Sequence, residues 1–317
     1  MKVLISDFPA ALAPDSEIQK KNLHSQFPDW QIEIWPYNGN QNELTDHVRD
    51  ADAVLTAFMP MNAEVISAMK PGACISVAAT GYDSIDDAAA EEHKVALMAI
   101  REYCTEEVAE HTIALLLGLC RHLKDTDADP AAYQTLKGKK IGIFGYGRIG
   151  QRVGQLAEAF RMEVYVSAFG RVSSYINRVV ADADTVLKEC DVITCHMPET
   201  PENHHYFNFS RFQEMKKKPI FLNCGRGGLV DTDALVKALE EGWISGAGID
   251  VIEDEHEGSA SSQKLSSFTN VLVTPHKAYA SEASCKALQD IPVDNIVAYL
   301  THKYGKINAF VKGPYHD

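Results

Sequence analysis

The chain has 317 residues, 45% of them hydrophobic and 23% charged, which is long for a single core and points to two domains of a globular protein. Its net charge of −14 works against nucleic acid as a partner, because neutralising phosphates needs a basic face, and the one basic run, Lys216-Lys217-Lys218, reads as a solvated turn before a strand. No stretch approaches the roughly 20 apolar residues of a membrane span. The longest, Ile113 to Leu119, is flanked by Glu110 and Arg121, and the N-terminus reaches Asp7 without the apolar core of a secretory leader.

The seven cysteines are scattered, with no C-x-x-C pair. That argues against a disulfide framework and against a structural zinc site. The expectation is a cytoplasmic protein with reduced thiols, no bound metal and no membrane partner.

Short β-branched or apolar runs alternate with helical patterns from end to end, the sign of parallel α/β sheets. In the first third, strands are expected over residues 3–5, 32–35, 53–56, 74–77 and 95–98, with helices over 16–26 and 63–69. A long helix is expected over 106–123, capped by Thr105, with Glu106 and Glu107 at the positive end of its dipole. Its apolar stripe is Val108, Ile113, Leu115, Leu116 and Leu119. The polar segment 124–136, with Pro130, reads as a connection. A second α/β unit follows, with strands over 141–144, 163–166, 192–195, 220–223, 246–249 and 271–273. Asp231 opens a helix that Gly242 ends, and the last helix, 281–301, carries Pro292 as a kink.

The run Ile141-Gly142-Ile143-Phe144-Gly145-Tyr146-Gly147-Arg148-Ile149-Gly150 is a strand feeding G-x-G-x-x-G, followed by a helical stretch over 151–160. Gly145 permits the tight turn, Gly147 lets backbone approach a pyrophosphate, and Gly150 lets helix and strand pack closely. The pattern is a dinucleotide fingerprint in this strand–loop–helix context. An NAD site usually carries an acid at the end of the next strand, to bind the ribose. Here that end reads Val164-Tyr165-Val166-Ser167-Ala168-Phe169-Gly170-Arg171, with no acid between Glu163 and Asp182. The cofactor is therefore NADP or NAD, with a lean to NADP, whose 2′-phosphate Arg171 or Ser167 would meet.

Reducing a 2-keto acid needs a cation for the carboxylate and carbonyl, a general acid for the new alkoxide, and a carboxylate to orient that acid. Three consecutive strand ends supply such groups. Arg226 lies in Asn223-Cys224-Gly225-Arg226-Gly227-Gly228, Glu255 in the acidic run after Ile249-Asp250, and His276 after Val273-Thr274-Pro275. Ligands of open parallel sheets bind at the carboxyl ends of strands, so the three groups are expected in one crevice.

These motifs, with Ala79-Thr80-Gly81-Tyr82-Asp83-Ser84-Ile85-Asp86, Val108-Ala109-Glu110-His111, His196-Met197-Pro198 and Gly248-Ile249-Asp250-Val251, resemble the D-isomer-specific 2-hydroxyacid dehydrogenase family over nearly the whole chain. The resemblance implies a doubly wound Rossmann cofactor domain over 101–281. It also implies a flavodoxin-like parallel-sheet substrate domain over 1–100 and 282–317, with a cleft between the two lobes. It implies hydride transfer between NAD(P)H and a small 2-keto or D-2-hydroxy acid. Arg226 would bind substrate, His276 would be the acid/base and Glu255 its partner. Thr80, Gly81 and Tyr103 would contact substrate. Gly145, Tyr146, Gly147, Arg148, Ile149, Gly150, Arg171, His196, Cys224 and Asp250 would form the cofactor site, with Asp250 on the nicotinamide side. A homodimer built on the cofactor lobe is implied as well. Phe58, Met59, Tyr82, Tyr103 and Tyr279 are pocket candidates favouring an uncharged substrate side chain, although Met59, Pro60 and Met61 also read as loop packing.

The chain departs from the family pattern in three places. Glu255 is followed by His256 rather than proline, Lys277 follows His276 where an apolar residue is commoner, and the ribose acid is absent. The chain also stops soon after its last helix, leaving no room for the regulatory domain of some phosphoglycerate dehydrogenases. Two other readings fit the same motifs: an NAD(H)-sensing interaction protein or corepressor, and a formate- or phosphite-type dehydrogenase.

Overall fold

The structure is a computed structural model in which residues 1–12, 15–125, 127–167, 178–253 and 260–315 are described. It divides into two compact units, Met1–Tyr103 with Ser281–Asp317, and Cys104–Ala280. The first unit contains β1 (Lys2–Asp7), β2 (Gln31–Pro36), β3 (Ala53–Thr56), β4 (Cys74–Val77) and β5 (Ala96–Ala99). The second contains β6 (Lys140–Phe144), β7 (Glu163–Ser167), β8 (Val179–Ala181), β9 (Val192–Cys195), β10 (Ile220–Asn223), β11 (Gly246–Ile249) and β12 (Val271–Val273). The chain then returns to the first unit with β13 (Ala309–Lys312).

Among the described residues, the first unit has a six-stranded sheet in the order β13-β5-β4-β3-β1-β2. Its parallel part has the doubly wound order 2-1-3-4-5 of flavodoxin-like sheets. The second sheet has seven strands in the order β12-β11-β10-β9-β6-β7-β8, all parallel, which is the Rossmann order extended by one strand.

Side-chain alternation divides each sheet between two cores. In the first unit Leu4, Val54, Ile75 and Leu97 face one layer, and Val3, Ile5, Leu55 and Met98 the other. In the second, Ile141, Ile143, Val166 and Leu222 face the layer of the helix Thr105–Cys120, while Phe144, Ile193, Phe221 and Ile249 face the opposite one. The aliphatic stripe of that helix is buried inside its own unit, from Leu116 at 0% exposed to Leu119 at 9%. It therefore carries no evidence for an interface.

Several boundaries differ from expectation. Thr105 is the first helical residue rather than the cap; Cys104 holds the cap position without a side-chain hydrogen bond. The helix after the glycine loop begins within the motif, as Arg148–Ala159. β8 and β13 are additional edge strands. Asp231 caps the helix Thr232–Glu240, and Gly242 at φ +65° follows it. Ser281 forms a capping box on Glu282–Leu300, which holds Pro292 inside it. Lys218, at φ +50°, lies in a turn before β10. Among the described residues no helix is long and apolar enough to cross a membrane.

Candidate active site

Register across the second sheet puts five strand ends in one line. Phe144 pairs with Cys195, Cys195 with Asn223, Asn223 with Ile249, and Ile249 with Val273. Gly145, His196, Cys224, Asp250 and Thr274 follow these residues in the chain, so they stand in a rank along the carboxyl edge, one inter-strand step of ~4.8 Å apart. The winding reverses between β6 and β9, which makes Gly145 and His196 the residues of the topological switch point.

At that switch point the glycines are required by close approach. Gly145 has φ +87°, and a Cβ there would stand 2.5 Å from the His196 carbonyl carbon and the Met197 nitrogen. A Cβ on Gly150 would run into the Gly145 carbonyl oxygen. Gly147 is different: a Cβ there would meet nothing within 4 Å. It is the N-cap of Arg148–Ala159 and supplies no side-chain cap, so the first-turn amides of Arg148, Ile149 and Gly150 present the positive end of the helix dipole to an anion. Tyr146 lies against Gly154, with Arg178 5.2 Å over its ring, so its side chain packs on the helix.

His196 shares a 2.9 Å hydrogen bond between Nε2 and Thr194 Oγ1. Its Nδ1 is shielded from solvent and has no hydrogen-bond partner among the described residues. Burial pulls its pKa down to about 4, so the ring is neutral at pH 7. An open backbone approach at Gly147 beside a helix N-terminus, and a shielded, unpartnered imidazole nitrogen on the next strand, both fit a dinucleotide along this edge. Ser167 closes β7 opposite Phe144 and is 3% exposed. Arg171 and Glu255 lie outside the described residues. Cys224 is buried against the core just after β10, and burial pushes its thiol up to about 12, leaving it neutral.

Arg226 sits in a turn fastened by Asn223. The buried Asn223 amide donates to the Arg226 carbonyl at 2.9 Å, and its Oδ1 accepts from Gly225 N at 3.1 Å. Gly227 leaves room for the Ile252–Glu253 backbone and Gly228 for the Glu199 carboxylate. Arg226 is partly exposed, and its Nη1 donates to the Gly225 carbonyl at 2.9 Å.

His276 occupies the left-handed region at φ +50°, which is costly for a residue with a Cβ and needs support from its surroundings. That support is Asp250. The His276 amide donates to the Asp250 carbonyl at 2.9 Å. The Asp250 carboxylate, 2% exposed, accepts from Thr274 Oγ1 at 2.6 Å, Lys277 N at 3.0 Å and Ala278 N at 3.0 Å. His111 Nε2 lies 2.9 Å from Thr274 Oγ1 and 3.6 Å from Asp250 Oδ1. Asp250 thus holds the turn that carries His276, a role absent from its sequence-level assignment as a nicotinamide contact. Tyr279 is partly buried against the same core.

In the first unit Thr80 is exposed and Gly81 half-buried in the loop after β4, which is tied down by Ala78 N to Thr56 O and Ile100 N to Ala79 O. Tyr103 is half-buried. Phe58 and Tyr82 are 43% and 36% exposed. Met59 and Met61 are fully buried in the core, so they pack the loop and do not line a pocket. Asp7, 3% exposed at the end of β1, accepts from Phe8 N, Thr56 Oγ1, Ala57 N and Phe58 N, and so fixes the loop that presents Phe58. In the sequence Asp7 stands out only as the charge that interrupts an apolar run.

Residues 113–278 match the family described as D-isomer specific 2-hydroxyacid dehydrogenase, NAD binding domain. The chain is 30% identical to the glycerate dehydrogenase of Methylorubrum extorquens, over 91% of this chain and 94% of that protein. It is 33% identical to the glyoxylate reductase of Thermofilum pendens, over 84% of this chain and 83% of that one. Among solved structures it is similar to the D-lactate dehydrogenase from Aquifex aeolicus, complexed with NAD and lactic acid, with a TM-score of 0.84 and 28% identity, covering 99% of this chain and all of the other. With the strand-end rank and the glycine loop, these matches identify the chain as a member of the D-isomer specific 2-hydroxyacid dehydrogenase family, an oxidoreductase that moves hydride between a nicotinamide cofactor and a 2-keto or 2-hydroxy acid.

Proposed function

We propose that the protein reduces a short 2-keto acid with an uncharged side chain, of the glyoxylate or hydroxypyruvate class, that it prefers NADPH to NADH, and that Arg226, Glu255 and His276 carry the chemistry. The observation that supports this most is the rank of strand ends, because β10, β11 and β12 are consecutive and the three groups follow them in order.

The bound nicotinamide supplies the hydride. Arg226 holds the substrate carboxylate and draws electron density from the keto oxygen. Protonated His276 gives its proton to that oxygen as the alkoxide forms, and Glu255 stabilises the imidazolium beforehand. One hydride and one proton convert the keto group to the hydroxyl. In the first unit, Thr80 and Gly81 are proposed to bind the carboxylate through backbone N–H groups, with Tyr103 as a further contact. The aromatic exposure of Phe58 and Tyr82 supports an uncharged substrate side chain. The missing acid after β7 supports NADPH, with Arg171 as the partner of its 2′-phosphate. A homodimer belongs to the proposal on family grounds, and light scattering after gel filtration reads it.

The test follows loss of reduced-nicotinamide absorbance with NADH and NADPH against 2-keto acids from glyoxylate, hydroxypyruvate and pyruvate to branched and aromatic acids. The two smallest polar acids with NADPH are expected to turn over fastest. Absence of turnover with every keto acid, from protein that still binds a dinucleotide, overturns the reading in favour of a sensor or a formate- or phosphite-type enzyme.

A further inference from the structure

A cluster of side chains able to ligate a metal lies outside the residues assigned to hydride transfer. His204 and His205 are adjacent in the chain, with rings stacked 4.1 Å apart and 21° from parallel. The loop that carries them is braced by Asn203, whose Oδ1 accepts from Thr200 N at 2.7 Å and whose Nδ2 donates to the Pro198 carbonyl at 2.8 Å. His205 has φ +51°, and its amide donates to the Gly228 carbonyl at 2.7 Å, so its position is imposed by the fold. Both rings turn Nε2 toward Glu253. His205 Nε2 lies 2.8 and 2.9 Å from the two carboxylate oxygens, and His204 Nε2 lies 3.4 Å from Oε1.

The far side of His204 is also occupied, since Nδ1 lies 3.1 Å from Glu199 Oε1. A neutral imidazole has a single N–H. If Nδ1–H donates to Glu199, the Nε2 lone pair of His204 points at the Glu253 carboxylate, and two electron-rich groups face each other. A second proton on the ring resolves that opposition, and so does a metal cation held between the two groups. Two imidazole nitrogens and a carboxylate oxygen are a ligand set suited to zinc-like ions, and a carboxylate behind one histidine is the usual support for such a ligand. The donor atoms of His204, His205 and Glu253 all lie within 4.8 Å of one another. Metal–ligand bonds of ~2.0–2.2 Å put tetrahedral donors roughly 3.3–3.6 Å apart; the 3.4 Å contact of His204 with Glu253 already has that spacing, and the 2.8 Å contact of His205 must open to admit the ion.

We propose that His204, His205 and Glu253 form a binding site for a divalent transition-metal cation of the zinc type, with Glu199 orienting His204 and water completing the coordination. The site joins the 199–205 loop to the Arg226 turn, through Gly228, and to Glu253, two residues before Glu255 in the chain. It has no local sequence signature, because His205 and Glu253 are 48 residues apart.

Chelator-stripped protein is titrated with Zn²⁺ against a chromogenic chelator, and separately with Co²⁺ while the visible spectrum is recorded. The wild type is expected to take up one equivalent, with a cobalt spectrum of nitrogen and oxygen ligands and no thiolate charge-transfer band. His204→Gln, which changes a side chain 48% exposed and so leaves the fold intact, is expected to weaken binding at least ~10-fold. Glu199→Gln should weaken it ~10–100-fold, and His24→Gln, at an exposed histidine, should leave it unchanged. No uptake by the wild type, equal affinity in His204→Gln, or a thiolate band overturns the proposal. The readout is metal binding, so it stands or falls independently of the proposed substrate.

Discussion

Replacing Asp250 with alanine removes the acceptor for three donors at once: the Thr274 hydroxyl and the amides of Lys277 and Ala278. The site is 2% exposed, so water does not readily replace the carboxylate. Hydrogen bonds to a charged group contribute ~1.5–3 kcal/mol each, and stranded buried donors cost about 1–3 kcal/mol each. Part of this is offset because the desolvated carboxylate is gone. The expected net loss is ~3–5 kcal/mol, the range for breaking a buried charged network from one side. That is a large share of the ~5–15 kcal/mol of a typical domain. Asp250→Asn keeps one oxygen acceptor and should lose ~1–2 kcal/mol. Urea unfolding followed by tryptophan fluorescence reads both values. Because the same turn holds His276 at φ +50°, turnover should also fall about 100-fold in Asp250→Asn, the cost of displacing a catalytic group by about 1 Å. An Asp250→Ala protein that unfolds at the wild-type urea concentration would refute this reasoning.

The glycine loop gives a paired expectation. Gly147→Ala should leave stability within ~0.5 kcal/mol, since its Cβ meets nothing, yet weaken dinucleotide binding measured by calorimetry. Gly145→Ala, at φ +87° and 2.5 Å from His196, should instead destabilise the fold by at least ~1–3 kcal/mol in thermal unfolding. Asn223→Ala releases the Arg226 turn, and steady-state kinetics should show a raised KM for the keto acid, with ~2–3 kcal/mol of stability lost. His196 has a folded pKa of about 4, below the ~6.5 of a free imidazole, so between those values the unfolded chain binds a proton that the folded chain does not. Its contribution is therefore complete above pH ~6.5 and is lost as pH falls toward 4, at up to ~1.4 kcal/mol per pH unit. His196→Asn should flatten that slope in urea titrations across the same range.

The sequence reveals elements where burial is complete and hides them where it is partial. β3, β4, β9, β10 and β11 are buried throughout, so each reads as a short uncharged run, mostly apolar, with at most one polar residue. β8 has Val179 and Val180 half-exposed on an edge, and β13 is a four-residue antiparallel strand at the other sheet's edge, so neither stands out from loop sequence. The same distinction governs the site. Gly145, Arg226 and His276 follow strands directly and carry local patterns. Asn223 holds the Arg226 turn from three residues away, but other supports act across long separations: Asp250 reaches the amides of Lys277 and Ala278, 27 and 28 residues on, His111 meets Thr274 163 residues away, and in the first unit Asp7 meets Thr56 49 residues away. No spacing rule marks such partners, because only the packing of strands and helices brings them together.

In the proposed reaction His276 supplies the proton as hydride reaches the keto carbon. Single-turnover reduction by His276→Ala, with dinucleotide affinity and unfolding measured on the same protein, tests it most directly. The expected rate is ~10²–10⁴-fold below wild type with binding and fold retained, the usual contribution of a general acid. A rate within a few-fold of wild type, on a folded protein that binds the dinucleotide, would contradict it.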